Sequence, residues 1–296
     1  MERALRLDGP LDLHRTLAPL RHAASDPTHH TTPDGAIWRA TRTPDGPASY
    51  RLVRTATGLS CTAWGPGAGW VLDGLPELVG TPHVTPFGHP LLDRAQRTCP
   101  GIGIPRTRRV LESLVPAVLE QKVTGKEARE SYVLLVRRYG EPAPGPVPPG
   151  LRVPPSAETW RHIPSWEWHR AGVDPRRMRT VLAATRVATR LEEAVDMDRA
   201  DAYARLTAVP GVGEWTAAEV AVRALGDTDA VSVGDFHRAG LVGWALVGRP
   251  VDDAGMVELL EPWRPHRAHV VRLVELSGVA KPRFGPRLAV QDHRAH

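Results

Sequence analysis

The chain has 296 residues, of which 42% are hydrophobic, and it carries a formal net charge of +5 at pH 7. Such a chain is long enough for two or three domains with buried cores. Its excess of basic over acidic residues suits a polyanionic partner. Two cysteines, Cys61 and Cys99, exclude a four-cysteine zinc or iron–sulfur site and a disulfide framework, so we expect a reducing cytoplasm. The histidines are scattered without the regular spacing of metal ligands, so we expect no metal site. We also expect no cofactor. No signal peptide and no membrane span are expected, since no apolar run reaches the ~20 residues of a bilayer crossing.

The first part of the chain has the pattern of a small antiparallel sheet. Polar and apolar residues alternate in four segments that we predict as strands, with a short helix between the first two, and the turn Pro44-Asp45-Gly46 joins two of these strands. The predicted strands are 3–7, 36–42, 49–54 and 58–64, and the helix is 11–20. Trp38 and Trp64 are expected in the core of this α+β unit.

Helical patterns replace the strands after a linker at 82–90. Apolar residues recur at helical spacing from Val110 to Leu119, and Thr124 is predicted to cap a second helix that ends at Tyr139. Prolines then crowd the segment 142–155, which we interpret as a stiff, extended surface loop.

The stretch 201–240 contains the most informative motif. Apolar spacing predicts two short helices around Val209-Pro210-Gly211-Val212-Gly213, with the second helix starting at Glu214. The two glycines are expected to adopt backbone angles that other residues avoid. A helix start beside a glycine turn is an anion site that suits a phosphodiester. A carboxylate, Asp235, follows 22 positions after Gly213.

Together with Trp215-Thr216-Ala217 and the segment VSVGDFH at 231–237, this motif resembles the helix-hairpin-helix (HhH-GPD) DNA glycosylases, in particular the DNA-3-methyladenine glycosylase II (AlkA-like) branch. The helical run at 110–140 and the turn at 261–267 add to the resemblance. It implies an α+β fold, in which a small N-terminal antiparallel sheet domain precedes a mostly α-helical, two-lobed glycosylase domain. The expected boundaries are 1–85, 86–280 with the hairpin at 206–216, and a basic tail at 281–296.

The resemblance also implies roles for individual residues. Asp235 corresponds to the catalytic aspartate, although a surface acid or a helix cap is the alternative interpretation. The hairpin residues expected to bind DNA are Pro210, Gly211, Val212, Gly213 and Thr216. Base-pocket positions are Trp215, Glu219, Phe236 and Glu275, of which the two glutamates replace aromatic rings of that branch. Gln121 and Lys122 occupy the position of the wedge that fills the DNA gap.

The predicted function is that of a monofunctional DNA glycosylase, which hydrolyses the N-glycosidic bond of damaged, alkylated purines in base excision repair. Trp215 stands where bifunctional relatives carry the lysine that attacks the sugar. Two alternatives remain open, a bifunctional oxidised-base glycosylase/lyase and a non-catalytic hairpin module that binds DNA. The expected partner is double-stranded DNA containing damaged bases. We expect a monomer in the bacterial cytoplasm, associated with the nucleoid when bound to DNA.

Overall fold

The computed structural model describes residues 1–280, and the predicted basic tail at 281–296 lies outside this range. The strands are β1 (Glu2–Arg6), β2 (His29–Thr31), β3 (Ile37–Thr43), β4 (Gly46–Arg54), β5 (Gly58–Trp64), β6 (Glu141–Pro142) and β7 (Arg152–Val153). The helices are α1 (Leu13–Leu17), α2 (Ala68–Asp73), α3 (Leu75–Val79), α4 (Pro90–Thr98), α5 (Val110–Leu119), α6 (Gly125–Tyr139), α7 (Ala157–His162), α8 (Ser165–Arg170), α9 (Pro175–Arg186), α10 (Ala188–Glu192), α11 (Arg199–Thr207), α12 (Glu214–Val220), α13 (Arg238–Val247), α14 (Asp253–Leu260) and α15 (Arg267–Leu276).

The predicted α+β architecture is confirmed. Five antiparallel strands form one sheet in the order β1-β5-β4-β3-β2. The turn between β3 and β4 is closed by the pair Thr43 and Gly46, and Gly46 adopts φ +120°, which favours glycine. One sheet face packs against α1, α2 and α3 through a core of leucines and valines, among them Leu17, Leu52 and Leu75. This unit buries its own apolar surface and precedes the helical part.

The proline-rich connection adds a short ribbon to the predicted surface loop. Its ends pair as a two-stranded ribbon, β6 with β7, which packs on the sheet through Leu151 and Val153. Beneath it Trp38 and Trp64 stack with their ring centroids 5.2 Å apart. The ribbon covers these rings because a tryptophan pair on an outer sheet face exposes a large apolar area to water. The segment is therefore a surface loop, as predicted, but its ends pair and its base packs on the sheet.

Two apolar cores divide the helical part. One lies among the eight helices from α5 to α12 and includes the fully buried Trp168 on α8. The other lies among α4, α13, α14 and α15. The predicted cap of α6 is confirmed, since Thr124 and Glu127 form a reciprocal capping box. The segment 226–237, which carries Asp235, joins α12 and its final π-helical turn to α13, and so connects the two cores.

A buried ion-pair cluster anchors this connector. Asp229 is 3% exposed and accepts from Arg267 at 2.7 and 2.8 Å and from Arg199 at 2.8 Å. Arg264 adds a further contact at 3.2 Å. These arginines belong to α11, to α15 and to the turn before α15, so the connector is fixed from both sides. Among residues 1–280, no helix combines the length and apolarity needed to span a bilayer.

Candidate active site and DNA interface

The hairpin between α11 and α12 forms where the sequence predicts it, and Glu214 begins α12. Val209 and Val212 are buried beneath the turn, whereas Pro210 and Gly211 are exposed. Gly211 has φ +91°, and a Cβ atom there would lie 2.1 Å from Thr180 Oγ1 on α9. This glycine is required both by the backbone conformation and by the close approach of α9.

Gly213 differs from the expectation. Its φ of −99° and ψ of −176° are open to any residue, so the prediction of a glycine-only conformation is wrong at this position. A Cβ atom at Gly213 would meet nothing within 4 Å. The residue caps α12 on the exposed edge of the hairpin. The absence of a side chain therefore leaves open the approach to the first N–H groups of α12, which suits a phosphate.

Gln121 braces the hairpin from α5. Its side-chain amide donates to the Gly211 carbonyl at 3.0 Å and to Thr216 Oγ1 at 2.8 Å. Thr216 is buried and thus supports the hairpin from inside. Lys122 is exposed next to Gln121. Its backbone has φ +55°, a conformation that residues other than glycine seldom adopt. Of the two predicted wedge residues, Lys122 alone has a side chain directed to solvent.

Asp235 lies half-buried just before α13. Its Oδ1 accepts from the backbone N–H groups of His237 and Arg238 at 2.9 and 3.0 Å. Its Oδ2 accepts from the indole N–H of Trp215 at 3.2 Å. Asp235 therefore does cap a helix, but the same contacts fix its carboxylate beside the hairpin, because Trp215 is the second residue after Gly213. The structure thus brings together the hairpin and the predicted carboxylate.

Glu219 does not line an open pocket and is not a surface residue either. It is 4% exposed, and its carboxylate is bound by Arg223 and Arg238, each at 2.7 Å, and by the Ser232 hydroxyl. Burial works to raise the pKa of Glu219, but the two arginine charges and the Ser232 hydrogen bond hold it well below its usual range. With both oxygens occupied internally, Glu219 is not available to a base. Its predicted pocket role was wrong.

Glu275 and Phe236 have more open surroundings. Glu275 on α15 accepts from Arg238 at 3.4 Å and from Arg272 at 2.9 Å, and its side chain is 31% exposed. Phe236 is 86% exposed and contacts the ring of His237 at 4.8 Å between centroids. The expected enclosure of Phe236 in a base pocket is therefore absent from this structure. Any stacking on Phe236 would take place at the surface beside Asp235.

Several residues of this region were missed by sequence reasoning. Arg238, Arg223 and Ser232 surround Glu219, and Glu120 ends α5 next to Gln121. Burial raises the pKa of Glu120, an effect that the Arg223 charge opposes. The available signals were weak: Arg223 stands four residues after Glu219 on one helix face, and Arg238 three residues after Asp235. Such spacings occur on many solvated helices.

Basic side chains surround the hairpin. Thr180 contacts Gly211, and the neighbouring Arg176 and Arg179 on α9 are exposed. Lys122 extends the positive rim on the side of α5. This arrangement attracts a polyanion to the turn. Among the described residues, no group of three or more histidine, cysteine, aspartate or glutamate side chains could hold a metal ion.

A cavity of about 410 Å³ lies away from this site, lined among others by Arg109, Glu112 and Trp160. It lies beside the N-terminal half of α5, whereas the hairpin contacts the residues that follow the C-terminal end of that helix. Its lining does not include Asp235. The chemistry considered below therefore belongs to the exposed surface beside the hairpin and not to this cavity.

Comparisons with known proteins show sequence similarity and a shared fold. No family model matches the chain. In sequence it is 34% identical over 177 residues to the Mycobacterium tuberculosis protein named "Probable bifunctional transcriptional activator/DNA repair enzyme AlkA", in strains CDC 1551 / Oshkosh and H37Rv. That match covers 58% of this chain but 34% of the relative, so the chain spans about a third of the length of the curated relatives that it matches.

Solved structures show the fold. The 3-methyladenine DNA glycosylase of Archaeoglobus fulgidus superposes with a TM-score of 0.75 at 16% identity, covering 93% of this chain and 98% of that one. The 8-oxoguanine glycosylase/lyase of Clostridium acetobutylicum, solved with double-stranded DNA, gives 0.68 at 10% identity, covering 93% and 96%. The chain therefore shares the fold of these two DNA glycosylases. In sequence the chain is similar to the AlkA relative over 58% of its own length.

Proposed function

We propose that this protein is a monofunctional DNA glycosylase, which hydrolyses the N-glycosidic bond of alkylated purines in double-stranded DNA during base excision repair in the cytoplasm. The observation that carries the proposal is the Asp235 carboxylate, held beside the hairpin by the Trp215 indole at 3.2 Å. A hairpin alone would serve a binding module. A half-buried carboxylate with fixed orientation next to it has the properties of a catalytic group.

The hairpin and its basic rim bind the phosphodiester backbone in this proposal. The exposed edge at Pro210, Gly211 and Gly213 admits a phosphate to the start of α12, and Val212 packs beneath it. Phosphate contacts position a protein on DNA without reading sequence, which suits an enzyme that searches for damage. The target nucleotide must then leave the base stack, and in this proposal the exposed side chain of Lys122 enters the gap.

Base release is assisted by charge. As the bond to the base breaks, the sugar acquires oxocarbenium character, which an anionic carboxylate stabilises. The same carboxylate can orient the attacking water. A cationic alkylated purine is already a good leaving group, so one carboxylate suffices for it. Glu275, with 31% of its side chain exposed, is the remaining pocket carboxylate that can accept a hydrogen bond from the departing base.

Strand cleavage by the same site is not expected. A lyase forms a covalent intermediate through an amine nucleophile. The residue at the second position after Gly213 is Trp215, whose indole is not a nucleophile and already donates to Asp235. The product should therefore be an intact strand with an abasic site.

The test is a panel of duplexes that carry 3-methyladenine, 7-methylguanine, ethenoadenine, hypoxanthine or 8-oxoguanine, incubated with excess protein. Release of the methylated purines, with strand breaks only after alkali or heat, is the expected result. Preferred release of 8-oxoguanine with direct strand cleavage would indicate a bifunctional enzyme. DNA binding without release of any base would indicate a binding module.

A further inference from the structure

Arg238 occupies a junction of three helices beside the proposed catalytic group. It is the first residue of α13 and stands three positions after Asp235. Its guanidinium donates to Glu219 on α12 at 2.7 Å and to Glu275 on α15 at 3.4 Å. Its side chain is 19% exposed. The arginine therefore ties the start of α13 to both neighbouring helices.

The turn 235–238 is fastened at both ends to one face of α12. Trp215 and Glu219 lie four residues apart on this helix, and so on the same face. Trp215 donates to the Asp235 carboxylate, while Glu219 accepts from the Arg238 guanidinium. The backbone N–H of Arg238 closes the turn by donating to Asp235 Oδ1 at 3.0 Å. The orientation of Asp235 thus depends on where Arg238 is held.

Charge supports the same role. Burial works to lower the pKa of Arg238, but the carboxylates of Glu219, Glu275 and Asp235 outweigh burial and raise it above its ordinary value. The guanidinium is therefore permanently charged. Asp235 and the two glutamates share this cation. Its removal would leave three neighbouring carboxylates without the positive charge that now lies among them.

We propose that Arg238 is a positioning residue for base release: clamped between Glu219 and Glu275, it fixes the turn 235–238 and so aims the Asp235 carboxylate at the extruded nucleotide. This inference rests on the proposed function. Arg238 itself needs no contact with DNA, since it acts through Asp235. Misplacement of a reacting group by about 1 Å can cost about a hundredfold in rate.

Arg223 provides a matched control. Its guanidinium also binds Glu219, at 2.7 Å, and donates to the Pro19 carbonyl at 3.0 Å, and its side chain is 18% exposed, close to the 19% of Arg238. It lies outside the turn 235–238 and makes no hydrogen bond to Asp235 among the described residues. Loss of either arginine weakens the clamp on Glu219, but only loss of Arg238 releases the turn.

The experiment compares Arg238→Gln, Arg238→Lys and Arg223→Gln in single-turnover release of 7-methylguanine from duplex DNA. For Arg238→Gln we expect the maximal rate to fall about tenfold or more, while the protein concentration that gives half the maximal rate stays within about twofold. Arg238→Lys keeps the charge and should recover part of the rate. Arg223→Gln should lower the melting temperature but leave the maximal rate within about threefold. Equal loss of rate in both glutamine variants, or a wild-type rate in Arg238→Gln, would overturn the proposal.

A second readout needs no substrate. The indole ¹H–¹⁵N resonance of Trp215, assigned by its absence from Trp215→Phe, reports the hydrogen bond to Asp235. It should move in Arg238→Gln and stay in place in Arg223→Gln. A moved resonance in a protein that releases no base would support the positioning role and refute the proposed function. An unmoved resonance in Arg238→Gln would refute the positioning role whatever the activity.

Discussion

Replacement of Asp235 by asparagine should abolish most base release while leaving the fold intact. Asparagine retains one carbonyl oxygen, so the N–H groups of His237 and Arg238, now at 2.9 and 3.0 Å, keep their acceptor. The amide nitrogen would then face the Trp215 indole N–H, and the hydrogen bond at 3.2 Å would be lost. One such bond contributes about 1 kcal/mol to stability. The helix cap therefore survives, and the lost charge becomes the main change.

The rate effect follows from Coulomb's law. A carboxylate ~3.5 Å from a unit positive charge, at an effective dielectric constant near 20, contributes ~5 kcal/mol. Each ~1.36 kcal/mol changes a rate about tenfold, so the variant should be slower by roughly three to four orders of magnitude. DNA affinity should be unchanged or higher, because a negative charge that faces phosphates has been removed.

The assay is single-turnover release of 7-methylguanine, with binding to the same duplex measured by fluorescence anisotropy. Asp252→Asn is the matched control, since Asp252 caps α14 by accepting from the Gly255 N–H at 2.9 Å and carries the same charge. It should release base at the wild-type rate. A rate for Asp235→Asn within tenfold of wild type would refute the assignment of Asp235 as the catalytic residue.

The hairpin, the product and the two glutamates can be tested separately. Gly211→Ala should lower the melting temperature and weaken binding to damaged and undamaged duplexes alike, because its Cβ would lie 2.1 Å from Thr180 Oγ1. Gly213→Ala should weaken binding without loss of stability, since its Cβ would project into open space on the exposed edge. The affinity for DNA should fall steeply as the salt concentration rises, because protein binding releases counterions from the DNA. The product should be an intact abasic strand, with no borohydride-trapped complex and no effect of EDTA. Glu219→Gln should lower the free energy of unfolding in urea at pH 7 by about 3 kcal/mol, because it breaks a buried ion pair. Glu275→Gln should change the relative rates among methylpurines, hypoxanthine and ethenoadenine by about tenfold, the effect of one hydrogen bond to a charged group.

Each of these expectations has a contrary outcome. Weaker binding of Gly211→Ala or Gly213→Ala to damaged duplex alone would contradict the placement of the hairpin on the phosphates. A trapped covalent complex would place the protein in the bifunctional class. Wild-type stability of Glu219→Gln would contradict the buried ion pair. An unchanged substrate ranking in Glu275→Gln would remove Glu275 from the base pocket.

Local sequence signals determined much of this protein. Strand alternation, turn residues and helical spacing predicted the α+β order, and the cap at Thr124 was predicted from neighbours in the chain. The hairpin and the start of α12 at Glu214 were also predicted, because a proline–glycine turn between two apolar helices is encoded within a few residues. These features depend on contacts within one or two turns of the chain. The candidate carboxylate, Asp235, came instead from the resemblance to the helix-hairpin-helix glycosylases, in which an aspartate follows the hairpin at about this distance.

Only the tertiary structure decided which charged side chains are paired inside the protein and which remain available to a ligand. Glu219 looked like a pocket or surface residue, but α12, α13 and the connector before α13 together enclose it with two arginines and a serine. Likewise, Gln121 turns inward to brace Gly211, and the proline-rich segment covers the tryptophan pair of the sheet. The sequence shows that a carboxylate or an amide is present, but it does not show which groups form hydrogen bonds or ion pairs with it. Those partners lie up to 95 positions away, and packing alone brings them within hydrogen-bonding distance.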